Sequence, residues 1–227
     1  GVLSFGQNVE RSCSLGSAFA QVGLESPVER ELLHRTLGAT SSEDTVPSIT
    51  RVGIGYVQET YARHGREWRD AVVKQADWDA SKLANFALGL PAKTETWDWM
   101  QGLREPAEDI YWQRIALRQV DDAERDAEYA VQRLVQVNRP LAAISLIGNL
   151  LSQLQRHNDE DRELPLSTEA IVDTLDKASK SDPSEESHTP NLSMVGHHVE
   201  TILSLLDHRK VSEDKMAMLE WEWLGVL

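Results

Sequence analysis

Residues 129–151 read YAVQRLVQVNRPLAAISLIGNLL: an apolar-striped segment, an Asn-Arg-Pro break and a second apolar-striped segment. The first belongs to a longer pattern over residues 121–137, where Ala127, Ala130, Val131 and Leu134 lie 4, 7, 8 and 11 positions after Ala123. Those offsets follow the α-helical period, and acids and Arg fill the opposite face. Asp121 and Asp122 stand at the front of this pattern, where carboxylates cap free amides and meet the positive end of the helix dipole. Asn138 and Arg139 end the helix. Pro140 suits the first turn of the next one, because its missing N–H would have no partner there. That second helix carries Leu141, Ile144, Leu146, Ile147, Leu150 and Leu151, apolar over more than half its circumference, and must be covered on two sides.

The same reading extends in both directions. Upstream, residues 54–63, 66–75 and 80–88 are three short helical patterns divided by His64-Gly65 and Ala76-Asp77. Residues 93–103 and 105–120 give two more, with Trp97, Met100, Ile110, Trp112, Ile115 and Leu117 as packing residues. Downstream, Ser167 caps a helix bearing Ala170, Ile171, Val172 and Leu175. Another helix holds Met194, Val195, Val199, Ile202, Leu203 and Leu206, and Ser212 followed by Glu213 and Asp214 starts the last. Strand alternation is not convincing anywhere. The chain is therefore expected to be all-α: stacked helical hairpins, solenoid-like, a degenerate array of the HEAT or TPR kind without a strict repeat, with an irregular globular helical domain as the alternative. Residues 1–227 are read as a single array. Its apolar ends suggest a fragment of a larger chain, and flexible loops are expected near residues 42–48 and 180–191.

Composition limits the function. A formal net charge of −14 argues against nucleic acid as a partner, since neutralising phosphates needs a surplus of Lys and Arg. No apolar run approaches the ~18 to 20 residues that cross a bilayer, so no membrane role is expected. The single cysteine, Cys13, excludes an internal disulfide framework and fits a reducing compartment such as the cytoplasm; it reads as a small buried hydrophobe.

Catalytic motifs are missing from the sequence. Gly53-Ile-Gly55 lacks the third glycine of a dinucleotide fingerprint, with Gln58 in its place, and reads as a helix-start or turn feature. There is no phosphate-binding G-x-x-x-x-G-K-S/T, no G-x-S-x-G and no H-E-x-x-H. Glu43-Asp44, Asp121-Asp122, Asp159 to Asp161 and Glu185-Glu186 fall in loops or at helix starts, where acids favour capping and solubility. The sharpest enzymatic alternative is a metal site around His197, His198 and Asp207, with Glu200, His208 and the Glu185/His188 pair nearby. Successive residues point about 100° apart on a helix, so at most one of His197 and His198 could share an ion with Glu200. The expectation is therefore no catalytic residue, no cofactor and no metal.

The aromatic residues are structural candidates: Trp97, Tyr111 and Trp112, and Trp221 and Trp223 near the end, together with Asn138 and Pro140 at the turn. In the pairs Trp97/Trp99 and Trp221/Trp223 the two rings lie about 200° apart on a helix, so one can enter a core while the other faces a neighbour or solvent.

Three stretches carry a resemblance: ASKLANFALGLPAKTETWDWMQGLREPAEDIYWQRI, AEYAVQRLVQVNRPLAAISLI and MAMLEWEWLGVL. With Leu90-Pro91, Thr96-Trp97, Tyr111-Trp112, the Asn138 to Ala143 turn and Leu219 to Leu224, roughly residues 80–227 resemble the helical region of large, mostly uncharacterised bacterial proteins. In those proteins an extended helical part follows an enzymatic or nucleotide-binding part, and some serve in defence or signalling. The resemblance implies a sensor or scaffold and brings no catalytic residue with it. The expected function is thus a non-catalytic scaffold or protein-interaction module whose partner is a protein or another domain of the same full-length chain.

Overall fold

The computed structural model describes residues 2–38, 46–103, 106–116, 123–156, 164–184, 186 and 191–224, without the side chains of 2–9, 123–124 and 155–156. Within these the chain is all-helical: eleven α-helices and no strand. It divides into two compact units, Gly1–Ile115 and Ala116–Leu227. The division falls at neither of the loops singled out from the sequence. No helix among the described residues is long and apolar enough to cross a membrane.

The first unit holds α1 (Val2–Val22), α2 (Ser26–Leu37), α3 (Ser48–Gln75), α4 (Ala80–Ala87), α5 (Thr94–Gln101) and α6 (Ala107–Arg114). The division that the sequence suggested at His64-Gly65 is present inside α3: two helical segments meet there at a kink, Gly65 adopting φ 65° and ψ −150°. Such a conformation suits a residue without Cβ. Helix α6 is shorter than the 105–120 pattern implied, because Ile115 turns to an extended conformation (ψ 132°); Leu117 to Val120 lie outside the described residues.

The Gly53 and Gly55 expectation is corrected. Both lie inside α3, not at a start or turn. A Cβ on Gly55 would lie 2.1 Å from the carbonyl oxygen of Cys13, and one on Gly16 would lie 2.0 Å from that of Val52. The two glycines therefore let α1 and α3 touch backbone to backbone, the approach that small residues permit elsewhere at tightly crossed helices. Beside this contact an aromatic core forms. Phe86 has Trp78 at 5.3 Å, Trp68 at 5.6 Å and Trp99 at 6.2 Å between ring centroids. Fully buried Trp97 and Trp112 pack at 5.1 Å, and the Trp97 indole N–H donates to Tyr111 Oη at 3.2 Å.

The second unit holds α7 (Ala123–Gln136), α8 (Pro140–Arg156), α9 (Thr168–Ser179), α10 (Leu192–His208) and α11 (Glu213–Leu224). The hairpin expected at 129–151 is present as α7 and α8. Asn138 has φ 60°, its N–H donates to Val135 O and that of Arg139 to Leu134 O. This is the left-handed helix stop in which two otherwise free carbonyls are satisfied. Helix α8 is covered by α7, α9 and α10, so Leu141, Ile144, Leu146 and Ile147 are wholly buried. Ser167 caps α9 as its sequence position indicated, accepting from Ala170 N at 3.2 Å, and Asn191 does the same for α10 through Ser193 N. The Asp121-Asp122 cap proposed for α7 lies outside the described residues.

Candidate functional site

A concavity of the second unit lies between α8 and α10. It is an open groove of about 460 Å³ with Leu151 on one wall and His197, Glu200, Thr201, Ser204, Leu205 and His208 along the other. The spacing explains the lining: residues 197, 201, 204 and 208 recur at steps of four, three and four, one continuous stripe of a helix. Its hydroxyls are engaged within α10, since Thr201 Oγ1 donates to His197 O at 2.9 Å and Ser204 Oγ to Glu200 O at 3.0 Å. His197 and Glu200 stand one turn apart and can meet the same ligand. His208 lies eleven positions further on, about 16 Å along the axis at 1.5 Å per residue, too far to share an ion with His197.

Of His197, His198 and Asp207, only the two histidine rings approach each other, 6.0 Å apart between centroids, and Asp207 does not join them. His197 lines the groove, whereas His198 is buried in the α8/α10 packing and Asp207 is exposed outside the lining. His198 rests on Gly148, where a Cβ would be 2.1 Å from its Nδ1. Burial first, and the neighbouring His197 charge second, push the His198 pKa below its ordinary value. A core histidine held neutral is what that position provides. Among the described residues no group of three or more His, Cys, Asp or Glu side chains is arranged to hold a metal ion. Glu185 and His188 lie outside the described residues, as do Glu43-Asp44 and Asp159 to Asp161.

A second polar centre was not legible beforehand. Within the 180–191 stretch, Glu186 is only 5% exposed and reaches the start of α8. Its carboxylate accepts from Leu141 N at 2.9 Å and Ala142 N at 2.8 Å. Pro140 has no N–H and Ala143 N donates to Arg139 O, so the first turn of α8 leaves no backbone donor unpaired. Arg139 is buried beside it. Desolvation lowers the Arg139 pKa against the pull of Glu186, and burial raises that of Glu186 despite the two backbone donors and Arg139.

The tryptophan pairs resolve into one inner and one outer member each. Trp97 is fully buried and Trp99 half-buried; Trp223 is 2% exposed and Trp221 78%. On α11 the buried residues Met216, Leu219 and Trp223 form the inner face, and Met218, Trp221 and Leu224 form an exposed apolar stripe on the other side. A sequence signal for that stripe existed in the three-residue spacing, but which of the two faces would be covered was decided by packing against α9 and α10.

No family model matches this chain, and no curated protein or solved structure matches it either.

Proposed function

We propose that this chain is a non-catalytic helical scaffold, a protein-interaction or sensor module of a larger intracellular bacterial protein, built as a degenerate HEAT- or TPR-like array. One observation carries the reading. Within each unit every substantial helix-to-helix contact is between neighbours or next neighbours along the chain: α1 with α3, α2 with α4, α4 with α6, and in the second unit α7 with α9, α8 with α10 and α9 with α11. Packing of this near-neighbour kind is the organisation of stacked hairpins, whose usual product is an extended surface and not an enclosed pocket. The partner is a protein or another domain of the same full-length chain.

The rival reading is a metal-dependent helical enzyme using the α8/α10 groove, and His197 with Glu200 is the observation in its favour. A stoichiometric transition metal that survives dialysis would support it.

The test of the scaffold reading is site-specific photo-cross-linking of the full-length protein in its own cells. A photoreactive residue is placed at exposed Phe19, Met194 or Trp221, with buried Ala130 as the control. Discrete protein adducts from at least one exposed position are expected. Background labelling at every exposed position would remove the reading.

A further inference from the structure

We infer that the outer face of α11 is a docking surface for a basic amphipathic helix, with Trp221 as its anchor; the inference rests on the scaffold reading and names the partner's chemistry. Met218, Trp221 and Leu224 are 44%, 78% and 78% exposed, on a helix whose opposite face is fixed by buried Met216, Leu219 and Trp223. The stripe is therefore not an unpacked core face. Glu222 further fixes the helix, accepting from Ser179 Oγ at 3.2 Å and lying 3.8 Å from Lys180 Nζ. An exposed Trp beside aliphatic neighbours is the residue type that concentrates binding energy when a partner covers it.

Charge selects the occupant. At 100° per residue Asp214 lies in line with Trp221, and Glu213 and Glu220, seven positions apart, form one rim of the stripe. Among the described residues none of these three has an ion-pair partner. The surroundings have the same sign: residues 116–227 hold 11 Lys and Arg against 21 Asp and Glu, a formal −10 of the chain's −14. A helix with an apolar seam and Lys or Arg along its edges meets both demands, burying the stripe and pairing the rim. A second copy of this chain would set acid against acid. An anionic lipid surface would repel the rim, and interfacial helices carry the opposite charge pattern.

The experiment uses the full chain and three fluorescein-labelled helical peptides with one Leu seam, edged with Lys and Arg, with Gln or with Glu, followed by anisotropy at low and high salt. The expected result is binding of the Lys/Arg peptide at least tenfold tighter than the Gln peptide and weakened by salt. No binding of the Glu peptide is expected, and a tenfold or greater loss with Trp221→Ala. Circular dichroism checks that the variant keeps its helices, and Leu224→Ser gives an independent loss. Equal binding of all three peptides, no binding of the Lys/Arg peptide, or indifference to both substitutions would overturn the inference. So would Trp221-dependent dimerisation in sedimentation, or Trp221-dependent uptake by phosphatidylglycerol vesicles. Cross-links from position 19 or 194 that persist in those cases would leave the scaffold reading standing while this inference falls.

Discussion

Glu186 caps the helix that begins 46 positions before it, its carboxylate 2.8 Å from the amide of Ala142. A helix start is ordinarily capped by the residue just before it, but that position is taken by Arg139, which has no acceptor in its side chain. The cap is supplied instead from the segment between α9 and α10. The first turn of α8 is thereby tied to Glu186 through both carboxylate oxygens.

Glu186→Ala is expected to cost about 1–3 kcal/mol, the usual effect of stranding buried donors, in urea denaturation. The pH dependence has a defined sign. The folded pKa of Glu186 is raised above the ordinary 4.5, so the folded state binds more protons than the unfolded one between these values. Its contribution is fully present below 4.5 and declines as pH rises through the folded value. The stability of the wild type relative to Glu186→Gln should therefore fall with rising pH over that window. A flat difference would mean that the carboxyl titrates alike in both states.

The opposite dependence is expected at Glu95. Burial works to raise its pKa, but hydrogen bonds from Arg66 and Lys93, the Lys93 charge and the Tyr61 hydroxyl outweigh it and hold the carboxyl at about 2. Stability from this group is complete above 4.5 and is lost as pH falls towards about 2. Thermal melts of wild type and Glu95→Gln between those values should converge on acidification. Parallel curves would exclude Glu95 as a source of acid lability.

Gly55→Ala brings a Cβ against the backbone of Cys13, where neither side can move without separating α1 from α3. The roughly 1 kcal/mol gain in helix propensity does not offset an overpacking cost of about 1–3 kcal/mol or more. Cys13 reports the separation, because its half-buried thiol has a pKa raised by desolvation. Faster reaction with a disulfide reagent is expected in the variant. Unchanged reactivity and stability would show that the helices do not meet at these glycines.

The two tryptophans of α11 should separate cleanly. Trp223→Ala removes a side chain that is 2% exposed and should cost about 3–5 kcal/mol. Trp221→Ala, at a 78% exposed position, should stay within about 0.5 kcal/mol. Similar losses for both would place Trp221 in a folded contact.

His198 should titrate below the ordinary 6.5 in NMR, and the stability it contributes should fall as pH drops from 6.5 through the folded value. Gly148→Ala, which displaces the ring from its seat on α8, should return the titration towards 6.5. A normal titration in the wild type would put His198 in solvent.

Sequence alone determined what is local in this protein. The 3.6-residue period at 123–134 and 141–151, the stop at Asn138, Pro140 in the first turn and the cap at Ser167 depend on residues within a few positions of each other. Their physics is complete within one or two helical turns. The inner and outer members of the tryptophan pairs were half determined: the 200° relation was in the spacing, the choice of face was not. What only the tertiary structure decided lies between distant residues. Glu186 finds the start of α8, Gly16 and Gly55 bring two backbones together, and the His198 ring takes the seat that Gly148 leaves open. These depend on which helix surfaces are buried against each other, and a periodic pattern fixes a face without naming its partner.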